Sequence, residues 1–265
     1  MRVKEIMNQK HPFIYEDDLA TKARAIIRDD SLRILPVIDK NKKLIGVVTR
    51  RNILTISSSV SALRVRGIMT LPKKIATTEE DAHAAIKELL QVGKWYAPVF
   101  DSVQSKTYKG VLGLENFIEA LIKTSPEKLS APVSEIMSTN VPTCSPDDEV
   151  DNIWRLMQDK TLAGLPVVNK GKLVGIVTQK DLLEGGEVMP TFEAKKGRHR
   201  ASPKVSAIMK REVLAVRPDV RAIRVAKVMV SKDIGRVPVT DDDGKLIGMV
   251  DRKDIARLLV KQGGS

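Results

Sequence analysis

A short signature, Val-x-x-Ile-Met, occurs four times in this chain, at Val3/Ile6/Met7, Val65/Ile68/Met69, Val133/Ile136/Met137 and Val205/Ile208/Met209. Pro-Val stands 29 residues after each of these methionines, at Pro36-Val37, Pro98-Val99, Pro166-Val167 and Pro238-Val239. A glycine then opens a short apolar run: Gly46-Val47-Val48-Thr49, Gly110-Val111-Leu112-Gly113, Gly175-Ile176-Val177-Thr178 and Gly248-Met249-Val250-Asp251. A fixed interval kept through four copies marks a repeat architecture, so one unit describes the chain.

The third copy is the clearest to read. Val141-Pro142-Thr143-Cys144 is a short extended piece. Ser145 is expected to open a helix with Pro146 at its first position and Asp147, Asp148 and Glu149 in the first turn, where acids suit the helix dipole. Val150, Ile153, Trp154 and Met157 recur at helical spacing and form its buried face. Leu165–Val168 and Leu173–Val177 read as a hairpin around the turn residues Asn169-Lys170-Gly171-Lys172, and Thr178 caps a second helix. The unit is β-α-β-β-α, and the whole chain is α/β (α+β). About 60 residues bury little surface alone, so the copies are expected to pair, one with two and three with four. The expected boundaries are 1–60, 61–124, 130–187 and 201–262, with 188–200 an irregular linker.

Composition narrows the function classes. Hydrophobic residues make up 42% of the 265, an ordinary globular fraction. A single cysteine, Cys144, forbids an intramolecular disulfide and any site needing several thiolates. The three histidines, His11, His83 and His199, are far apart, so no metal site is expected. No apolar run is long enough to span a membrane, and no signal peptide is legible, so a cytoplasmic protein is expected. The net charge of +12 favours an anionic partner or a solubilising surface.

The Val-x-x-Ile-Met opening, the apolar-Pro-Val strand and the Gly-apolar-apolar-Thr-x-x-Asp close resemble cystathionine-β-synthase (CBS) domains. Copy three carries the pattern best, in Leu162-Ala163-Gly164-Leu165-Pro166-Val167 and Gly175-Ile176-Val177-Thr178-Gln179-Lys180-Asp181. The resemblance covers nearly the whole chain and implies two CBS-pair (Bateman) modules, similar in plan to the nucleotide-sensing gamma subunit of the AMP-activated protein kinase. It also implies a ligand class: adenosine-containing molecules such as AMP, ADP, ATP or S-adenosylmethionine, held in clefts between paired units.

Thr178 and Asp181 are the leading ligand residues. A helix N-terminus presents free N–H groups and partial positive charge to a phosphate, and a carboxylate accepts both hydroxyls of a ribose. The resemblance gives ribose to Asp181 and ribose or phosphate to Thr178. Ser/Thr-x-x-acid is equally a capping box, worth about 1 kcal/mol with no ligand at all. Copy four keeps an acid, Asp254, but has Asp251 in the Thr position, where it repels phosphate. Copy one has Thr49 and Asn52, and copy two has Gly113 and Asn116. The copies therefore rank three, four, one, two. Expected phosphate partners are Lys180, Arg198, Arg200, Arg236 and Lys253; Arg236 is equally readable as a solvated strand charge. By the resemblance, the adenine slot lies between Val141, Pro142, Thr143 and Ala163, Gly164, Leu165, Pro166, with Val213, Ala215, Ile234 and Pro238 as the matching positions in copy four. Trp95 and Tyr96 are expected to fill the corresponding slot of copy two. The repeated methionine reads as core or as a swapped contact between paired units.

The reading that follows is a non-catalytic adenosine-nucleotide sensor with no required cofactor, acting on an unidentified regulated protein. An S-adenosylmethionine-type sensor and a nucleic-acid binder, the latter from Lys195-Lys196-Gly197-Arg198-His199-Arg200, are the alternatives. Few aromatics and no helix-turn-helix or zinc-finger pattern count against nucleic acid. No P-loop, metal-binding histidine pair or triad supports an enzyme. Closure of the modules within one chain and pairing as a homodimer both remain open.

Overall fold

The computed structural model describes residues 1–54, 62–184 and 202–261. Copy one holds α1 (Val3–Ile6), β1 (Ile14–Tyr15), α2 (Ala20–Asp29), β2 (Ile34–Ile38), β3 (Leu44–Thr49) and α3 (Arg50–Ile53). Copy two holds β4 (Ala76–Thr77), α4 (Ala82–Gln91), β5 (Tyr96–Phe100), β6 (Tyr108–Gly113) and α5 (Leu114–Thr124). Copy three has α6 (Val150–Asp159), β7 (Gly164–Asn169), β8 (Lys172–Thr178) and α7 (Gln179–Glu184). Copy four has α8 (Ala222–Ser231), β9 (Arg236–Thr240), β10 (Leu246–Asp251) and α9 (Arg252–Lys261).

Each Pro-Val strand pairs antiparallel with the glycine-opened strand that follows it. In copies one and two the short first strand joins in parallel. In copies three and four it contributes a single bridge, Cys144 to Val167 and Val216 to Val239. The helix of copy three begins later than the acidic run predicts. Ser145 N–H donates to Asp148 Oδ2 at 2.8 Å, closing a local turn, and α6 starts only at Val150. Short polar side chains stabilise turns as readily as helix starts, and here the turn wins.

The opening segment of each copy lies on its partner copy. Val3 N–H donates to Glu80 O and Val65 N–H to Asp18 O, while Val133 and Val205 reach Val220 O and Asp148 O. The methionines of copies two, three and four then cross to the partner strand. A Cβ on Gly46, Gly175 or Gly248 would stand 2.9, 2.8 or 2.5 Å from the Sδ of Met69, Met209 or Met137. Real Cβ atoms do not approach so closely, so the recurrent glycine and the recurrent methionine are two halves of one swapped contact. In copy one the equivalent neighbour of Gly110 is the backbone carbonyl of Asn8.

Helices join the modules. α5 packs on α8 and α9, and α4 on α9, merging the apolar interiors of copies two and four into one cluster. α2 and α3 pack on α7, merging copies one and three into a second. Trp154 lies in this second interior at 2% exposure, and His83 stacks edge-on to Phe117. Each copy thus meets its sheet partner on one side and a copy of the other module on the other. Among the described residues no helix is long and apolar enough to cross a membrane.

Candidate functional site

The four strand-to-helix turns share one hydrogen-bonded box. In copy three, Thr178 N–H and Oγ1–H donate to Asp181 Oδ2 at 2.8 and 2.6 Å, and Asp181 N–H returns to Thr178 Oγ1 at 3.4 Å. Thr49 and Asn52 make the same three contacts in copy one. In copy four, Asp251 N–H donates to Asp254 Oδ2 at 2.8 Å, and Asp254 N–H to Asp251 Oδ1 at 3.2 Å. Gly113 keeps only the backbone half, its N–H donating to Asn116 Oδ1 at 2.8 Å. Capping is therefore common to all copies, and a ligand role must use what the box leaves over.

What is left over differs between copies. Asp181 is buried, and its second oxygen faces Lys210 Nζ at 3.3 Å. Lys210 belongs to the opening segment of copy four, delivered beside copy three by the bridge from Lys210 to Ile176. In copy four, the second oxygen of Asp254 faces Arg257 Nη1 at 3.1 Å. Burial first, and the adjacent Asp251 second, raise the Asp254 carboxyl to about 6. Lys253 lies 3.7 Å from Asp251, and Arg236 is paired with Asp251 across β9 and β10.

The slot and the acids are assembled across copies. Val141 and Thr143 of copy three, with Thr139 and Val168, line an open crevice of about 190 Å³ whose other wall is Lys245, Leu246, Ile247 and Gly248 of copy four. That wall is the start of β10, which ends at Asp251 with Asp254 one helical turn beyond. Val141 and Thr143 thus face the copy-four strand that leads to Asp254, whereas the sequence reading grouped them with Thr178 and Asp181. Ala163 and Gly164 do lie beside Thr178: Ala163 O accepts from Gln179 N–H, and Gly164 pairs with Thr178. Gly164 has no room for a side chain, since a Cβ there would meet Thr178 Cγ2 at 2.9 Å. Leu165 and Pro166 follow Gly164 in β7; Leu165 is buried at 1% exposure, and Pro166 O accepts from Cys144 N–H, while Val213 N–H donates to Arg211 O within the opening segment of copy four.

In copies one and two the equivalent crevice is occupied by side chains. Phe13 and Tyr108 meet edge to face at 5.8 Å, Tyr108 Oη donates to His11 O at 3.1 Å, and His11 Nε2 contacts Ile34 O at 2.9 Å. Burial keeps His11 below its ordinary value, so it is neutral and Nε2–H donates to that carbonyl.

Trp95 and Tyr96 are placed differently from the sequence expectation. Trp95 crosses to copy four, where its ring fills the space above Gly235 and Arg236 stacks on it at 5.0 Å. Arg236 is half-buried, which excludes a freely solvated strand charge. Tyr96 Oη accepts from Arg33 at 3.3 Å and Arg252 at 3.2 Å. Lys180 is held by Glu184 at 3.4 Å. Arg198 and Arg200, with the linker 188–200, lie outside the described residues. Sequence reasoning missed Lys210, Arg33, Asp233 and Arg252. Lys210 and Arg33 come from other copies than the acids they meet, Asp181 and Asp233, and Arg252 meets Tyr96 and Glu115 of copy two as well as Asp233 of its own copy; no spacing within one copy signals the meetings between copies. Among the described residues no cluster of three or more His, Cys, Asp or Glu is placed to hold a metal.

The chain is similar along nearly its whole length to several other proteins. The uncharacterized protein MJ1225 of Methanocaldococcus jannaschii is 25% identical over 97% of this chain and 98% of its own. Its crystal structure, described as a candidate archaeal homologue of g-AMPK, superposes with a TM-score of 0.86 at 22% identity, covering 98% and 100% of the two chains. An uncharacterized conserved protein from Pyrococcus horikoshii gives 0.69 at 23% identity, over 98% and 100%. MJ1404 of M. jannaschii is 28% identical over 97% of this chain, which spans 61% of that protein. The CBS-domain profile matches residues 3–59, 133–186 and 205–261, leaving out copy two, whose closing box has lost its threonine and its acid. The repeats, the swapped pairing and these matches together make this chain a member of the CBS-domain family.

Proposed function

We propose that this protein is a non-catalytic sensor that binds an adenosine nucleotide, AMP, ADP or ATP, between paired CBS copies and passes the change to a regulated protein. The observation that carries the reading is the crevice of about 190 Å³ between copies three and four. Val141, Leu246 and Ile247 offer apolar faces to a flat base, and Thr139, Thr143 and nearby backbone groups offer hydrogen bonds to its edge. β10 leads from that slot to Asp254, which takes the ribose, and Arg236 and Lys253 offset the acid pair toward a phosphate. A second ligand position uses Thr178 and Asp181 with Val213, Ala215, Ile234 and Pro238, and its ligand displaces Lys210 from Asp181. A ligand held by two copies favours one relative orientation of them, and that difference in affinity is the signal.

The acid pair Asp251 and Asp254 supports a second reading, a ligand with a cationic tail of the S-adenosylmethionine type, because two carboxylates at the far end of the strand that walls the crevice oppose a polyphosphate. Calorimetric titration of ligand-stripped protein with AMP, ADP, ATP and S-adenosylmethionine separates the readings. Binding of a nucleotide, weakened by about 1–3 kcal/mol in Asp254→Asn or Asp181→Asn, supports the first. Heat with S-adenosylmethionine alone supports the second. No heat with any of them rejects both.

A further inference from the structure

The hairpin turns of copies one and two meet within the first module. Leu44 N–H donates to Lys106 O at 3.2 Å, Tyr108 N–H donates to Lys42 O at 3.0 Å, and Lys43 bridges to Thr107. The meeting collects Lys40, Lys42 and Lys43 from one turn with Lys106 and Lys109 from the other, all of them exposed. None of the five is held in an ion pair among the described residues. Lys42 and Lys106 stand at φ +60° and +55°, a left-handed conformation that glycine adopts without the steric cost. The carboxylates of the two turns are committed to backbone. Asp39 Oδ1 accepts from Asn41 N–H and Lys43 N–H at 2.8 Å, and Asp101 Oδ1 accepts from Thr107 N–H at 3.0 Å.

Aromatic rings lie beside these lysines. Phe13 meets Tyr15 and Tyr108 edge to face, each at 5.8 Å between centroids. Rings in that arrangement do not cover one another by stacking, and Phe13 and Tyr15 stay 39% and 40% exposed. Tyr108 carries the backbone link to Lys42, and Tyr15 shares an open hollow of about 310 Å³ with Ile38 and Lys40. Glu16, Asp17 and Asp39 also line that hollow, and Asp17 is paired with Arg66 at 2.8 Å. The scarcity of aromatics in the composition spoke against nucleic acid, yet three of them are gathered on this one face. The second module has Thr143, Ser145 and Leu246 at the corresponding places, so the fold itself does not require the rings. Exposed rings in a contiguous group mark a contact surface.

We propose that this ring cluster and the lysines around it form a docking surface for single-stranded nucleic acid on the first module. Bases stack on the exposed Phe13 and Tyr15, and the unpaired ammonium groups follow the phosphates. Tyr108 is a positioning residue, its hydroxyl tied to His11 O and its ring set against Phe13. A duplex fits less well, because its bases already stack on each other and offer no free face. A lipid surface fits less well too, because Glu16, Asp17 and Asp39 share the hollow with Tyr15 and their carboxylates would be drawn out of water with its ring. The surface shares no residue with the crevice between copies three and four, so it stands or falls separately from the sensor reading.

The test measures fluorescence anisotropy of a labelled single strand of about 12 nucleotides, as RNA and as DNA, with the full chain over a range of salt. The single strand is expected to bind more tightly than the same sequence as a duplex. Tyr15→Ser is expected to weaken binding about tenfold and to leave the salt dependence unchanged, because it removes stacking and no charge. Lys42→Asn with Lys106→Asn, which suits both left-handed positions, is expected to lower the slope of log affinity against log salt by about 1.4. Undiminished binding in Tyr15→Ser, an unchanged slope in the double variant, or a duplex bound as tightly as the single strand overturns the proposal. So does absence of oligonucleotide binding at about 50 mM salt, and binding of phosphatidylserine vesicles in its place assigns the surface to a membrane. If Tyr15→Ser loses its fold by circular dichroism, photocrosslinking of a 4-thiouridine strand to the unmodified chain decides: a crosslink at Phe13, Tyr15 or the lysine turns supports the surface, and crosslinks confined elsewhere overturn it.

Discussion

The acid pair of copy four has a measurable consequence for stability. Asp254 is 8% exposed and lies beside Asp251, and its carboxyl is raised from the ordinary 3.8 to about 6. For an acid raised on folding, the stabilising contribution is complete below the unfolded value and is lost as pH rises through the folded one. Between pH 8 and pH 5 these two values give about 1 kcal/mol in favour of the folded state at the lower pH. For a chain of this size that is about 2–4 °C in Tm. Asp254→Asn keeps an oxygen acceptor for the Asp251 N–H and abolishes the titration. The assay is the Tm of both proteins at pH 5 and pH 8 in matched ionic strength. Relative to the variant, the unmodified protein is expected to gain about 2–4 °C on moving to pH 5. Asp251→Thr, which recreates the box of copy three, is expected to shrink that difference, because Asp251 is the second cause after burial. Equal pH responses in the unmodified protein and Asp254→Asn would refute the argument that burial and Asp251 raise this carboxyl.

Three further outcomes follow from the packing. Gly175→Ala drives a Cβ to 2.8 Å from Met209 Sδ and 3.0 Å from Lys210 O, so the swapped segment must move; a loss of about 1–3 kcal/mol in denaturant unfolding is expected. In the same assay, Thr49→Ala removes the side-chain half of a cap and is expected to cost about 1 kcal/mol. Cys144 is buried and its thiol is pushed up to about 12 by burial and then by Asp148, so iodoacetamide at pH 8 is expected to leave it unmodified in native protein and to label it once the chain is unfolded, as read by mass spectrometry.

The repeat interval, the β-α-β-β-α order and the pairing of copies one with two and three with four were all legible in the linear chain. They depend on local spacing, turn residues and the open face that one short unit leaves. Helix starts were less legible: Asp147 and Asp148 satisfy the dipole rule for a first helical turn, yet Ser145 and Asp148 close on each other and α6 waits for Val150. The capping box was visible in the Thr-x-x-Asp spacing because both partners lie within one helical turn. Tertiary structure alone decided that Lys210 meets Asp181, that Tyr108 and Phe13 occupy the crevice of the first module, and that Arg33, Tyr96, Asp233 and Arg252 converge. Those residues are brought together by the swap of opening segments and by helix packing between modules. Such packing follows from the summed burial of whole faces, and no spacing of residues along a single copy encodes it.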